Sequence, residues 1–150
     1  MARDSDKALD CLICAKHRGE GPLDGELVVR HEGFWVYHSQ PGDDGLAALG
    51  YLIIETDRHV PRLPDLTDAE AASLGRLRTR LARALREELD VPFVFAAVIG
   101  TNTPHFHEHL VARHRGVADD VPWHKSDEAA PRADVATVAD LARRLRTHLG

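Results

Sequence analysis

Apolar residues recur along this chain at two spacings, and each spacing predicts a kind of element. Short runs rich in β-branched and aromatic residues come first. Glu26-Leu27-Val28-Val29-Arg30 reads as a strand, and Phe34-Trp35-Val36-Tyr37-His38 as its partner, with Glu32-Gly33 as the turn between them. After a loop of turn residues, Gln40-Pro41-Gly42-Asp43-Asp44-Gly45, the segment Gly50-Tyr51-Leu52-Ile53-Ile54-Glu55 predicts a third, buried strand. Pro92 to Ile99 predicts a fourth strand and His105 to Arg113 a fifth, with Gly100-Thr101-Asn102-Thr103-Pro104 as a tight loop between them.

The second spacing is helical. Thr67-Asp68-Ala69-Glu70 is a capping box, in which Thr67 caps the backbone ahead and Glu70 reaches back. Leu74, Leu77, Leu81 and Leu85 follow as one apolar stripe. Arg76, Arg78, Arg80, Arg83 and Arg86 fall mostly off that stripe and read as a solvated face. The helix is expected to fade near Asp90, ahead of Pro92. Asp134 caps a last helix, with Val135, Val138, Leu141, Leu145 and Leu149 as its stripe. Hairpin-like strands around one long helix predict an α+β fold: a mainly antiparallel five-stranded sheet, a long central helix and a C-terminal helix.

Composition changes this picture little. A chain of 150 residues that is 43% hydrophobic and 29% charged predicts one globular domain spanning 1–150, with an N-terminal arm over 1–25. The net charge of -5 argues against a general nucleic-acid binder. MARDSDKALD has no apolar core of the signal-peptide kind, and the run Val91 to Ile99 is too short to span a bilayer. No nucleic-acid and no membrane partner is therefore expected, and the expected location is the cytoplasm. The 2 cysteines, in Cys11-Leu12-Ile13-Cys14, would be thiols there, spaced for metal or redox chemistry.

The candidate chemistry lies in Pro104-His105-Phe106-His107-Glu108-His109-Leu110. On a strand, alternate side chains share a face, so His105, His107 and His109 are expected to project together at about 7 Å intervals. Phe106, Glu108 and Leu110 are expected on the opposite face. Imidazoles have little to offer a core, because their nitrogens need partners. Two chemistries use such a row. The three rings could ligate a catalytic zinc or iron. Alternatively, one neutral ring attacks phosphorus while a neighbour donates hydrogen bonds to phosphoryl oxygens.

His105-Phe106-His107-Glu108-His109-Leu110-Val111 resembles the motif of the histidine triad (HIT) superfamily. Three further blocks are similar in order and spacing: Cys11-Leu12-Ile13-Cys14, Gly50 through Val60, and Leu66-Thr67-Asp68-Ala69-Glu70. The cysteine pair is that of the zinc-containing members. The resemblance implies a HIT-like α+β fold that forms a homodimer. It also implies a nucleotidyl hydrolase or transferase acting on a phosphoramidate or phosphoanhydride bond of a small phosphorylated or nucleotide substrate. A nucleotide-binding protein of the same fold without turnover is a third reading, beside the phosphorus chemistry and the metal-dependent enzyme.

Carried over by position, the resemblance makes His107 the nucleophile of a covalent phospho-histidine intermediate and His109 the phosphate-binding and leaving-group residue. Gly100, Asn102 and Thr103 become the phosphate-facing loop, and Trp35, Tyr37 and Ser39 face the rest of the substrate. Cys11, Cys14, His59 and His105 become a closed Zn2+ site that staples the N-terminal arm to the sheet. The chain departs from the pattern in three places. Ser39 stands where many members place an acidic residue on ribose, Thr101 replaces a common glutamine, and Glu108 replaces an apolar residue. A buried Glu108 would need a basic or hydrogen-bonding partner.

Overall fold

The computed structural model describes residues 10–150. Residues 1–9 of the predicted N-terminal arm lie outside them. Strands β1 (Leu27–His31) and β2 (Phe34–His38) form the expected hairpin. Its turn holds Glu32 at φ 45° and Gly33 at φ 89°, the pair of positive values that matches the right-handed twist of the flanking strands. A two-residue strand, β3 (Ala47–Ala48), precedes β4 (Tyr51–Thr56). Helix α1 (Leu12–His17) lies before all of these, and α2 (Asp68–Leu89) follows them. Then come β5 (Phe93–Ala97), β6 (His107–Arg113), the short β7 (Arg132–Ala133) and α3 (Val135–Thr147).

The main sheet has five strands in the order β1-β2-β4-β6-β5, every neighbouring pair antiparallel. A two-stranded ribbon pairs β3 with β7. Alternation divides the main sheet into two faces. Phe34, Val36, Leu52, Ile54 and Leu110 join Leu77, Leu81 and Leu85 of α2 and Leu141 and Leu145 of α3 in one core. Trp35, Tyr37, Tyr51, Ile53, Glu55, His107 and His109 alternate with the core residues and so take the opposite face.

The capping box forms as expected. Glu70 N–H donates to Thr67 Oγ1 at 3.0 Å, and Thr67 N–H donates to Glu70 Oε1 at 2.9 Å. Helix α2 ends on Asp90 in the left-handed conformation. Gly50 precedes β4 at φ +85°, where an added Cβ would come within 2.7 Å of Leu89 and 2.9 Å of Ala112. A larger residue would collide with those two side chains, and the positive φ itself favours glycine.

Four expectations need correction. The fourth strand is Phe93–Ala97, with Val98 and Ile99 beyond it and exposed. It is an edge strand, and its ladder to β6 stops at Ala97 opposite His109. The fifth strand begins at His107, because the chain at Phe106 bonds instead to Val60 and Thr56. Val135 is exposed, since it sits in the first turn of α3 beside Ala133 and Ala47 at the open rim of the small ribbon. Arg78 does not simply face solvent: it pairs with Glu108. Among the described residues, no helix is long and apolar enough to cross a membrane.

Candidate active site and metal centre

His107 and His109 stand on the same face of β6, opposite Glu55 and Ile53 of β4. Their ring centroids are 5.1 Å apart and the planes nearly perpendicular. Each Nδ1 is held by a different kind of partner. His107 Nδ1 lies 2.9 Å from the His105 carbonyl oxygen. A carbonyl only accepts, so Nδ1 carries the proton and Nε2 keeps a lone pair. His109 Nδ1 lies 2.7 Å from the Tyr51 hydroxyl. Burial lowers the pKa of His109, and the neighbouring His107 lowers it further.

His105 does not join them. It precedes the strand, is fully buried, and turns its ring away into a cysteine cluster. Its Nε2–H donates to the Thr56 carbonyl at 2.7 Å, which leaves Nδ1 as the free donor atom. Cys11 Sγ lies 3.4 Å and Cys14 Sγ 3.3 Å from that nitrogen. His59 Nδ1 is 3.3 Å from Cys14 Sγ.

All four ligand atoms of Cys11, Cys14, His59 and His105 lie within 4.8 Å of one another. Zinc bound at its usual 2.0–2.3 Å separates tetrahedral donors by roughly 3.3–3.8 Å, so both the donor set and its spacing fit structural zinc. The Cys14 thiol is pushed up to about 11 by burial and by Cys11, which outweigh the opposing charge of Arg18. A divalent metal would supply the positive charge that favours the thiolate.

Helix α1 carries both thiols, Cys11 as its N-cap and Cys14 within its six residues. A helix so short has no stability of its own. It is also anchored through Glu55, which is 2% exposed. Lys16 Nζ reaches one carboxylate oxygen of Glu55 at 2.6 Å and His17 Nε2 the other at 3.0 Å. His17 stacks on Trp35 with centroids 4.5 Å apart. The position of Glu55 after Leu52-Ile53-Ile54 is a signal in the sequence that points to a required partner, whereas nothing in the order of residues marks Lys16 or Tyr51.

Beside the two imidazoles is a cavity of about 270 Å³. Its walls include Tyr37, Ser39 and Thr103 of the predicted substrate residues, with Ile13 and Lys16 of α1 opposite. Trp35 lies elsewhere: its indole N–H donates to Asp57 at 2.8 Å, and its ring faces the Cys14 and His59 side. Gly100, at φ +56°, borders a neighbouring cleft shared with His105 and His107. Asn102 is exposed in the same loop. A second cavity, of about 160 Å³, lies on the other side of His109, lined by Tyr51, Phe95, Trp123 and Asp127 among others.

No protein-family profile matches this chain, and no curated protein does. Solved structures do. A zinc-bound histidine triad family protein from Mycobacterium smegmatis is 21% identical with a TM-score of 0.68, over 95% of this chain and 94% of that one. A Hit-like protein from Bartonella henselae, involved in cell-cycle regulation, is 14% identical with a TM-score of 0.70, over 99% of each chain. A hypothetical histidine triad nucleotide-binding protein from Sulfolobus tokodaii is 16% identical with a TM-score of 0.63, over 89% of this chain and 87% of that one. With its five-stranded antiparallel sheet, its alternating histidines and a four-donor cluster that fits structural zinc, this chain has the fold of the histidine triad proteins.

Proposed function

We propose that this chain is a nucleotidyl hydrolase or transferase that works through His107. The observation that carries the reading is the bond from His107 Nδ1–H to the His105 carbonyl, which leaves Nε2 unprotonated above a cavity of about 270 Å³. Nε2 attacks phosphorus, an N–P bond forms, and the bond to the leaving atom breaks. The leaving atom departs with the bonding pair and takes a proton from solvent. The ring is then a cation with a proton still on Nδ1, and the His105 carbonyl stabilises that charge. Water or an acceptor attacks phosphorus next. The N–P pair returns to Nε2, and the attacking hydroxyl releases its proton.

His109 contacts the phosphoryl oxygens, and Ser39, Tyr37 and Thr103 border the space for the rest of the substrate. Gly100 and Asn102 complete the phosphate-facing loop, and Trp35 acts at a distance by holding His17 and thereby α1. Cys11, Cys14, His59 and His105 hold zinc, as the zinc-bound Mycobacterium smegmatis neighbour supports. Its chemistry is that of a closed structural site, which fixes α1 and the backbone of His105. The nucleotide-binding name of the Sulfolobus tokodaii neighbour supports a nucleotide substrate. The exposed Phe93 of edge strand β5, with the exposed Ile99 and Trp123, supports the homodimer, and a cysteine pair free of a disulfide suits the cytoplasm.

The alternative of a metal held by His105, His107 and His109 is disfavoured by the His105 ring, which bonds to Thr56 and the cysteines. The test is to incubate the protein with adenosine phosphoramidate or a dinucleoside polyphosphate and quench in the cold. A nucleotidyl group on His107, lost in His107→Ala, is the expected result. Turnover that requires an added metal, without an adduct, would favour the metalloenzyme. Tight nucleotide binding without turnover would favour the silent binding protein.

A further inference from the structure

The two imidazoles on β6 differ in what holds them, and the difference is chemical. A carbonyl oxygen can only accept a hydrogen bond, whereas a phenol can donate or accept. Tyr51 O–H and His109 Nδ1, at 2.7 Å, are close enough for either direction. The phenol proton decides between them. Among the described residues, the Tyr51 hydroxyl makes no other hydrogen bond: Phe95, Val111 and Trp123 lie around it, and Asp127, the carboxylate that lines the same cavity, is not bonded to it. If His109 donated from Nδ1, the phenol proton would be left without a bonded acceptor among these side chains, which is unfavourable. If Tyr51 donates to Nδ1, the phenol proton is satisfied. In the neutral ring the remaining proton then sits on Nε2.

We infer that Tyr51 is a positioning residue, which donates to Nδ1 of His109 and thereby holds that ring in the Nε2–H form. The adjacent rings are thus set in opposite tautomers. His107 offers a lone pair at Nε2, and His109 offers a hydrogen-bond donor at the same atom. Two chemically identical side chains at alternate positions of one strand are given different roles by the groups behind them. In this arrangement His109 presents an N–H at Nε2 to the phosphoryl group and its leaving atom. The location of Tyr51 favours this division. It lies on β4, in register with Val111, and reaches across to His109 from the side away from His107 and the larger cavity. Burial also raises the pKa of the Tyr51 phenol, so it remains a donor throughout the neutral range.

The functional use of this pair rests on the proposed attack by His107, but the tautomers do not, so the two ideas fail separately. The measurement is long-range proton–nitrogen correlation NMR on the ¹⁵N-histidine-labelled protein without substrate, at a pH where His109 is neutral. The expected pattern is a proton on Nε2 and a hydrogen-bonded, unprotonated Nδ1 for His109, and the reverse for His107. In Tyr51→Phe, which keeps the ring, His109 Nδ1 should shift toward the position of a free unprotonated nitrogen or average between tautomers. His107 should not change. With a substrate that the wild-type protein turns over, Tyr51→Phe should lower kcat about tenfold, the effect of one hydrogen bond. A proton on Nδ1 of His109 in the wild-type protein, or a His109 spectrum unaltered in Tyr51→Phe, would overturn the inference.

Discussion

Arg78 and Glu108 form a two-pronged ion pair between helix α2 and strand β6, with Nε and Nη2 at 2.8 and 2.6 Å from the two carboxylate oxygens. Glu108 is the acidic residue between two site histidines, and this pair explains how it lies buried on the core side of the sheet. Its side chain is 3% exposed and that of Arg78 38%, so solvent tempers the arginine end only. Arg78→Ala would leave a buried carboxylate unpaired and should cost about 2–3 kcal/mol in denaturant unfolding. Glu108→Gln keeps one acceptor and should cost about 1–2 kcal/mol. Because Glu108 faces away from the cavity, turnover by the folded Glu108→Gln protein should stay within about twofold, as for other substitutions that remove no transition-state contact. Loss of turnover in a well-folded Glu108→Gln protein would mean that β6 has been assigned to the wrong face.

The two imidazoles should respond differently to removal. His107→Ala should abolish the nucleotidyl adduct altogether. His109→Ala removes a donor to the phosphoryl oxygens and should slow adduct formation by about 10²–10³-fold without removing the nucleophile. The double variant should be no slower than His107→Ala alone, since residues acting as a unit are not additive. Rapid-quench kinetics would check this. An adduct of undiminished yield in His107→Ala would exclude it as the attacking group.

Metal content should track the docking of α1. Elemental analysis of protein prepared without chelator should find about one zinc per chain. Cys11→Ser should lose it and lower the melting temperature by about 10 °C, because metal binding energy is folding energy. Trp35 offers an optical report, since its ring stacks on His17 of α1 at 4.5 Å. Chelation should shift its fluorescence in the wild-type protein and leave it unchanged in Cys11→Ser. Full zinc occupancy in Cys11→Ser would reject the donor set.

Acid should destabilise the fold through His38. This ring is 1% exposed and bonded as a neutral group: Nδ1–H donates to the Ser39 carbonyl and Nε2 accepts from the Gly50 N–H, both at 3.0 Å. Burial holds its pKa below the ordinary 6.5. Above pH 6.5 neither state binds the proton and the stability is full. As pH falls below that value the unfolded chain takes up a proton the native ring refuses, and stability is lost down to the native pKa. Each unit of separation between the two pKa values is worth about 1.4 kcal/mol. Denaturant unfolding at a series of pH values should show this slope, and His38→Gln should flatten it. An unchanged slope in a folded His38→Gln protein would place the acid sensitivity in other groups.

Features governed by neighbours in the chain were readable from residue order alone. The strand and helix periods, the Thr67–Glu70 capping box, the Glu32-Gly33 turn and the end of α2 near Asp90 all depend on contacts within a few residues. The shared face of His107 and His109 follows equally from alternation on one strand. The roles of those histidines were a different matter. By alternation His105 reads as the third member of a row, but its partner Cys11 is 94 positions away, and the bonds of Phe106 to Val60 and Thr56 start the strand only after it. The arginines of α2 looked alike, and only the packing of α2 on β6 sets Arg78 against Glu108. Tyr51 and Glu55 read as ordinary strand positions until the order β2-β4-β6 brought them beside His109 and beneath α1. Local periodicity decides which way a side chain points, because it needs only the adjacent backbone. What waits there to meet it depends on sheet order and helix packing, and these arise from contacts across the whole chain.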